Sequence, residues 1–413
     1  KVYLFEYSDL ITAAPNTELG EGIHEAVSLA GRRMAFLGES SGDEAGSALA
    51  SKDVDADGIK DFVIAAPSSD ANGVLSGSVY LWLANELPTG QGAYLLSGAT
   101  QRYDGFSPSD QLGSSVVLLS DLDGDSGAEL VFSAPTSNAN SASANGVLGR
   151  VYGFASSDRS AVPLTWDDTL FGITGVQLGD NLGRSIADCG DLNGDGLSEL
   201  IVANEHSVGI WSGSTLAAGG SLSGDDAEWT ISPGMIPDSV ASSGDINLDG
   251  HPEILIGSID MNQTGYGGAY LYDGSDILSS SSSLNQFDAQ WTLSSSEAND
   301  YSGCAVSPAG DIDQDSRDDL LISSCRSDVL GPNYGLVYLM RGSSLLGSGT
   351  VELSAADKIF GDLPLYSTSQ FTGTAIAHGD LSNNGVISVL IGSPGITGSL
   401  SRGSVFVSVQ EEE

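Results

Sequence analysis

Asp53-Val54-Asp55-Ala56-Asp57-Gly58-Ile59-Lys60-Asp61 runs directly into Phe62-Val63-Ile64-Ala65-Ala66-Pro67. Carboxylates stand at positions one, three, five and nine of a short loop, with glycine at position six. That pattern gathers oxygen ligands around one hard cation, because such ions take six to eight oxygens from carboxylates, carbonyls and water. Glycine at six suits a turn that needs a positive φ. The apolar run behind the loop reads as a short buried strand.

The loop recurs. Versions of it begin at Asp121, Asp191, Asp245, Asp311 and Asp380, at intervals of 54 to 70 residues. A repeat of that length is read before any single motif. Upstream of each loop lies a strand entry such as Gly46-Ser47, Gly113-Ser114 or Gly183-Arg184. Downstream, an apolar strand ends in a small-residue turn, as at Ala65-Ala66-Pro67, Ser133-Ala134-Pro135 and Gly392-Ser393-Pro394. A third strand opens on glycine and reaches an aromatic, as in Gly77-Ser78-Val79-Tyr80, Gly149-Arg150-Val151-Tyr152 and Gly335-Leu336-Val337-Tyr338. A fourth strand shows at Phe171-Gly172, Trp229-Thr230, Trp291-Thr292 and Phe360-Gly361.

Four short strands cannot bury their own faces, whereas radial repetition of the unit can. The pattern therefore predicts an all-β chain, a β-propeller of four-stranded blades. Residues 46–413 hold six such repeats. Residues 1–45 read as a degenerate blade or as ring-closing strands, which makes seven blades the expectation and six the alternative. In one reading Lys1–Phe5 is a third strand and Met34–Gly38 a fourth; in the other, Asp9–Pro15 echoes Asp61–Pro67. The whole of 1–413 is then one propeller domain.

These phrases resemble the FG-GAP repeats of the integrin α-subunit propeller and of related secreted proteins of bacteria and eukaryotes. Phe360-Gly361, Gly392-Ser393-Pro394 and the Ala-Pro turns at Pro67 and Pro135 carry the resemblance, which covers about residues 35 to 409. It implies a seven-bladed propeller with calcium in its hairpin loops, on the face opposite the main ligand surface, and an adhesion or recognition role.

The ligand positions can be written out loop by loop. The first offers Asp53, Asp55, Asp57, Asp61 and the Ile59 carbonyl; the second Asp121, Asp123, Asp125, Glu129 and the Gly127 carbonyl, with Ser126 at position six. The third offers Asp191, Asn193, Asp195, Glu199 and the Leu197 carbonyl; the fourth Asp245, Asn247, Asp249, Glu253 and the His251 carbonyl. The fifth has Asp311, Asp313, Asp315, Asp319 and the Arg317 carbonyl, with Ser316 at six. The sixth, Asp380, Ser382, Asn384 and Ser388, keeps one carboxylate and reads as a metal-free relic. Two carboxylates 4 Å apart repel by roughly 4 kcal/mol at an effective dielectric near 20, so clusters of three or four call for a cation. Magnesium demands stricter octahedral geometry, which leaves about five structural calcium sites as the expectation.

The bulk numbers agree. Lys plus Arg is 14 against 55 Asp plus Glu, a net charge of −41, which argues against nucleic-acid or anionic-membrane surfaces. There is no apolar run long enough for a membrane span. The Gly- and Ser-rich, Lys-poor composition, on a chain opening at Lys1 without a leader, predicts a mature or excised form of a protein outside the cell or at its surface. Cys304 and Cys325 flank the fifth loop on strands expected to pair, so a disulfide is expected there, with Cys189 a small buried residue.

No nucleophile elbow, phosphate loop or zinc motif is present, and His24, His206, His251 and His378 have no informative partners. The expected function is a non-catalytic, calcium-binding extracellular adhesion or recognition module whose protein or glycan ligand the sequence does not name. The alternative is a self-assembling subunit of a fibre, sheath or surface layer, which size measurement would separate. A carbohydrate- or lipid-active enzyme is the third reading.

Overall fold

Short β-branched and aromatic runs bounded by Gly, Ser, Asn and Asp make strands, and nearly every regular element is one. The structure is a computed structural model and describes residues 2–4, 34–87, 92–137, 147–157, 168–261, 266–281, 283–361, 371–379, 387–393 and 404–409. Two compact units are present, Lys1–Phe5 with Arg32–Ile231, and Glu6–Gly31 with Ser232–Glu413.

The first unit holds three complete antiparallel sheets whose strands pair in chain order. They are Leu49–Lys52, Asp61–Ala66, Ser78–Trp82 and Gln101–Asp104; then Val116–Leu119, Glu129–Ala134, Arg150–Phe154 and Phe171–Thr174; then Ile186–Gly190, Glu199–Ala203, Val208–Trp211 and Trp229–Ser232. The second unit holds two more: Ser239–Ser242, Ile254–Met261, Tyr266–Tyr272 and Trp291–Ala298; then Ser302–Gly310, Asp319–Ser324, Leu336–Met340 and Lys358–Gly361. A three-stranded sheet follows, Ala375–Gly379, Ser388–Ser393 and Ser404–Val409. In the first unit, Val2–Leu4 pairs antiparallel with Met34–Leu37. That is the third-and-fourth-strand relation read for those two segments.

The four-stranded, all-β blade is therefore as expected, but the count differs. Among the described residues there are five complete blades and two partial sheets, not seven or six. The Asp9–Pro15 echo and the relic loop from Asp380 lie outside the described residues. Two short helices, Gly213–Ala217 and Gly274–Ser279, follow the third strands of the third and fourth blades.

The second and third strands of each blade are buried almost throughout, because both their faces meet neighbouring sheets. Between the first and second blades, Tyr103, Phe132 and Phe154 pack ring to ring at 5.0–5.6 Å. Leu119, Val131, Val151, Leu200 and Trp211 join the second to the third. Each such side chain contributes about 1.5–3 kcal/mol of burial.

The glycine that opens the third strand has a steric reason. A Cβ on Gly77 would lie 2.3 Å from Leu112 N, one on Gly149 2.2 Å from Leu182 N, and one on Gly335 2.2 Å from Thr372 O. In all three, φ is also positive.

A further strand was not anticipated. Gly92–Leu95 pairs parallel with Met34–Leu37, Gly220–Ser223 with Phe171–Thr174, and Gly349–Glu352 with Trp291–Ser294. In each pair, the link between the third and fourth strands of one blade covers the outer edge of the preceding sheet, where a bare strand would invite foreign pairing. The second and third strands of the fourth blade run on to Met261 and back from Tyr266. Cys304 and Cys325 form the expected disulfide, and Cys189 is free and buried.

Candidate metal centres

Each of the five described acidic loops joins the first strand of a blade to the second, and each is held by the same hydrogen bonds. The position-one carboxylate accepts the N–H of position six: Gly58 to Asp53 at 2.8 Å, Ser126 to Asp121 at 2.8 Å, Gly196 to Asp191 at 2.9 Å, Gly250 to Asp245 at 2.9 Å and Ser316 to Asp311 at 2.8 Å. The position-five carboxylate accepts the N–H of position seven. Ile59 thus donates to Asp57, Gly127 to Asp125, Leu197 to Asp195, His251 to Asp249 and Arg317 to Asp315, at 2.8–2.9 Å.

The turn this requires is left-handed at position six in all five described loops, at φ 85° for Gly58 and 74° and 73° for Ser126 and Ser316. Position four is left-handed as well, at Ala56, Gly124, Gly194, Leu248 and Gln314, which the glycine pattern alone did not reveal.

The loop folding brings carboxylates together. Asp121, Asp123, Asp125 and Glu129 each place an oxygen within 4.8 Å of the others, as do Asp53, Asp55 and Asp57, Asp245, Asp249 and Glu253, and Asp311, Asp313 and Asp315. The third loop forms no such group among the described residues; there Asn193 Nδ2 donates to Glu199 Oε1 at 2.8 Å.

Position nine stands at the start of the second strand, or just before it at Glu253, and is fully buried: Asp61, Glu129, Glu199, Glu253 and Asp319 are all 0% exposed. One oxygen of each accepts the N–H of position two, at 2.9 Å from Val54, 2.6 Å from Leu122 and Leu192, 2.7 Å from Ile246 and 3.0 Å from Ile312. In the first, third and fifth loops the other oxygen accepts a main-chain N–H after the third strand, from Ala84, Gly213 and Gly342. In the second and fourth, Glu129 Oε1 and Glu253 Oε1 are buried without a hydrogen-bond partner among the described residues.

Burial first, and neighbouring acid charges after it, push Glu129 and Glu253 up to about 8, against the downward pull of the Leu122 and Ile246 N–H groups. Desolvation likewise raises Asp319 to about 6 and lifts Asp61 and Glu199. An unpaired buried carboxylate oxygen costs roughly 1–3 kcal/mol, more when charged. The donor set of carboxylates and amide oxygen, in which Asp55 Oδ1, Glu129 Oε1 and Glu253 Oε1 are buried without a hydrogen-bond partner among the described residues, fits a hard divalent cation.

Sequence reading missed the residues that reach the loops from the far end of the third strand. Asn85 Nδ2 lies 3.0 Å from Asp55 Oδ2 and 2.9 Å from Asp57 Oδ2, and Ser156 Oγ is 2.7 Å from both Asp125 oxygens. Asn247 Nδ2 donates to Asp273 Oδ2 at 2.8 Å, and Arg341 Nε sits 3.3 Å from Asp313 Oδ2. No spacing signals them, because the position is filled by a different residue in each blade.

A second acidic position was legible but overlooked. Three residues before the strand-entry glycines stand Asp43, Asp110, Asp180 and Asp300, all buried at 2–6% exposure. Asp43 accepts the Ser40 N–H, Asp110 that of Ser107 and Asp180 those of Val176 and Gln177. These close the turns at the blade end opposite the acidic loops.

Comparison with known proteins bears on the repeat. An FG-GAP-like repeat family model matches residues 191–256, the third loop through the second strand of the fourth blade. No curated protein matches the sequence. One similar solved structure is that of BBS1N in complex with ARL6DN, soaked with lead, at TM-score 0.40 and 11% identity over 87% of this chain and 91% of that one. At that score it carries no argument here. The chain thus carries an FG-GAP-like repeat at residues 191–256 within a β-propeller fold.

Proposed function

We propose that the chain is a non-catalytic extracellular recognition module, a propeller whose blades are braced by calcium. The observation that carries this reading is the pair of buried, unpartnered oxygens, Glu129 Oε1 and Glu253 Oε1, each inside a cluster of carboxylates at the same point of its blade. Calcium would be held by positions one, three, five and nine and the position-seven carbonyl, supplying positive charge where the fold supplies only negative. Extracellular modules bind calcium at about 10⁻⁴–10⁻³ M, a range met outside cells and not in cytosol. The Cys304–Cys325 disulfide supports the same compartment.

Recognition is supported by the architecture. A rigid set of strands presents connecting loops at its ends, and such loops commonly carry binding. We infer seven blades, the incomplete ones involving residues 1–45 and the C-terminal repeat.

Thermal melts of the full chain in calcium, in magnesium and in chelator test the metal. The expected result is a higher Tm in calcium than in either alternative; equal values in all three refute calcium bracing. An array of extracellular-matrix proteins and glycans, probed with and without calcium, tests recognition. Saturable, calcium-dependent binding supports it, and turnover of a polysaccharide or phospholipid by the purified chain overturns the non-catalytic assignment.

A further inference from the structure

The five loops share their backbone bonds but differ in what fills the space between the carboxylates. In the first, Asn85 Nδ2 bridges Asp55 Oδ2 and Asp57 Oδ2 while Asp55 Oδ1 has no partner among the described residues, and both oxygens of Asp61 are occupied by the Val54 and Ala84 N–H groups. In the third, Asn193 Nδ2 lies 2.8 Å from Glu199 Oε1 and 3.3 Å from Asp195 Oδ2. In the fifth, Arg341 brings a guanidinium to Asp313, and Asp319 is satisfied by Ile312 and Gly342.

Position nine separates the second and fourth loops from the rest: Asp61, Glu199 and Asp319 each receive a second main-chain N–H, from Ala84, Gly213 and Gly342, whereas Glu129 Oε1 and Glu253 Oε1 receive none. Ser156 Oγ reaches Asp125 but not Glu129. Asn247 Nδ2 is drawn to Asp273 at 2.8 Å and touches Asp249 at 3.3 Å, which leaves Glu253 Oε1 bare.

We propose that the loops are two kinds of cation site. The second and fourth bind tightly, whereas in the first, third and fifth a side-chain donor, Asn85, Asn193 or Arg341, stands in the cation's place until the ion displaces it. The inference rests on the calcium reading above and sharpens it. An amide or guanidinium hydrogen between two carboxylates supplies part of the charge an ion would supply. Binding must break those contacts first, so affinity falls by their worth. Asn85 is exposed and the Arg341 side chain is half exposed, so both can swing out without disturbing the core.

The test is calorimetric titration of the chelator-stripped full chain with calcium chloride. Two tight sites and three weaker ones are expected. Asn85→Ala and Arg341→Met should each move one weak site toward the tight class, by about fivefold to tenfold, the value of one lost polar contact. Glu129→Gln should remove one tight site and leave the weak ones unchanged. Near-UV circular dichroism confirms that each variant is folded. Five equivalent sites, or Asn85→Ala and Arg341→Met isotherms that overlay the parent's, overturn the two-class proposal while leaving calcium bracing intact. Absence of saturable calcium binding in the parent chain overturns both.

Discussion

Glu253→Gln opposes its own effects in the presence and absence of calcium, which makes it a sharp probe of the fourth loop. Glu253 is 0% exposed, its Oε2 accepts the Ile246 N–H at 2.7 Å, and its Oε1 has no partner among the described residues. Desolvation, then the Asp273, Asp245 and Asp249 charges, hold it at about 8 against an ordinary 4.5. Each tenfold change in proton affinity is ~1.4 kcal/mol, so keeping this group in the metal-free fold at about pH 7.5 costs on the order of 2–4 kcal/mol. Glutamine keeps the Ile246 bond and the shape, and offers Nε2 to the neighbouring aspartates. In chelator the variant should therefore be more stable than the parent, by about 2 kcal/mol once the amide's own needs are allowed for. In calcium the order reverses. A site filled at a hundredfold excess over Kd contributes about 2.7 kcal/mol, and the variant forfeits most of it. Urea unfolding followed by tryptophan fluorescence, in chelator and in ~10 mM calcium, reads both. A variant that is less stable in chelator and gains as much from calcium as the parent would refute the argument.

Three further outcomes follow from the same geometry. Metal-free protein should lose stability as pH rises from about 4.5 to about 8: with Glu129 and Glu253 raised in the fold, the folded state binds the extra protons, so their contribution is complete below 4.5 and gone above about 8. Calcium should flatten that slope, and a chelator-state Tm that climbs over the interval would contradict it. Ser316→Gly, at φ 73°, should stabilise the chain by about 1 kcal/mol by relieving a left-handed residue whose N–H bond to Asp311 is retained; an unchanged urea midpoint counts against this. Gly149→Ala, whose Cβ would sit 2.2 Å from Leu182 N at φ 78°, should cost more than about 2 kcal/mol, and a loss under ~0.5 kcal/mol would show that the two chain segments part easily.

The sequence by itself determined what lies within a few residues of each loop. Carboxylate spacing, glycine at six and the apolar run behind them are local, so the strands of the five described blades and four of the carboxylate clusters were legible from Asp53 to Asp61 and its copies, while the third loop, of the same pattern, forms no such group. The Cys304–Cys325 bridge was legible for the same reason, since its strands flank one loop. Tertiary structure decided what depends on distant chain. Asn85 lies 28 and 30 residues from the two carboxylates it bridges, and the glycine at 149 is demanded by backbone 33 residues on. The parallel strand at Gly92–Leu95 has no pattern of its own, because an edge-covering strand needs backbone bonds and not buried side chains. Loops of one sequence pattern thus differ in charge balance. Position nine is buried in all five described loops, and only the donors folded against it from the third strand settle whether its carboxylate is satisfied.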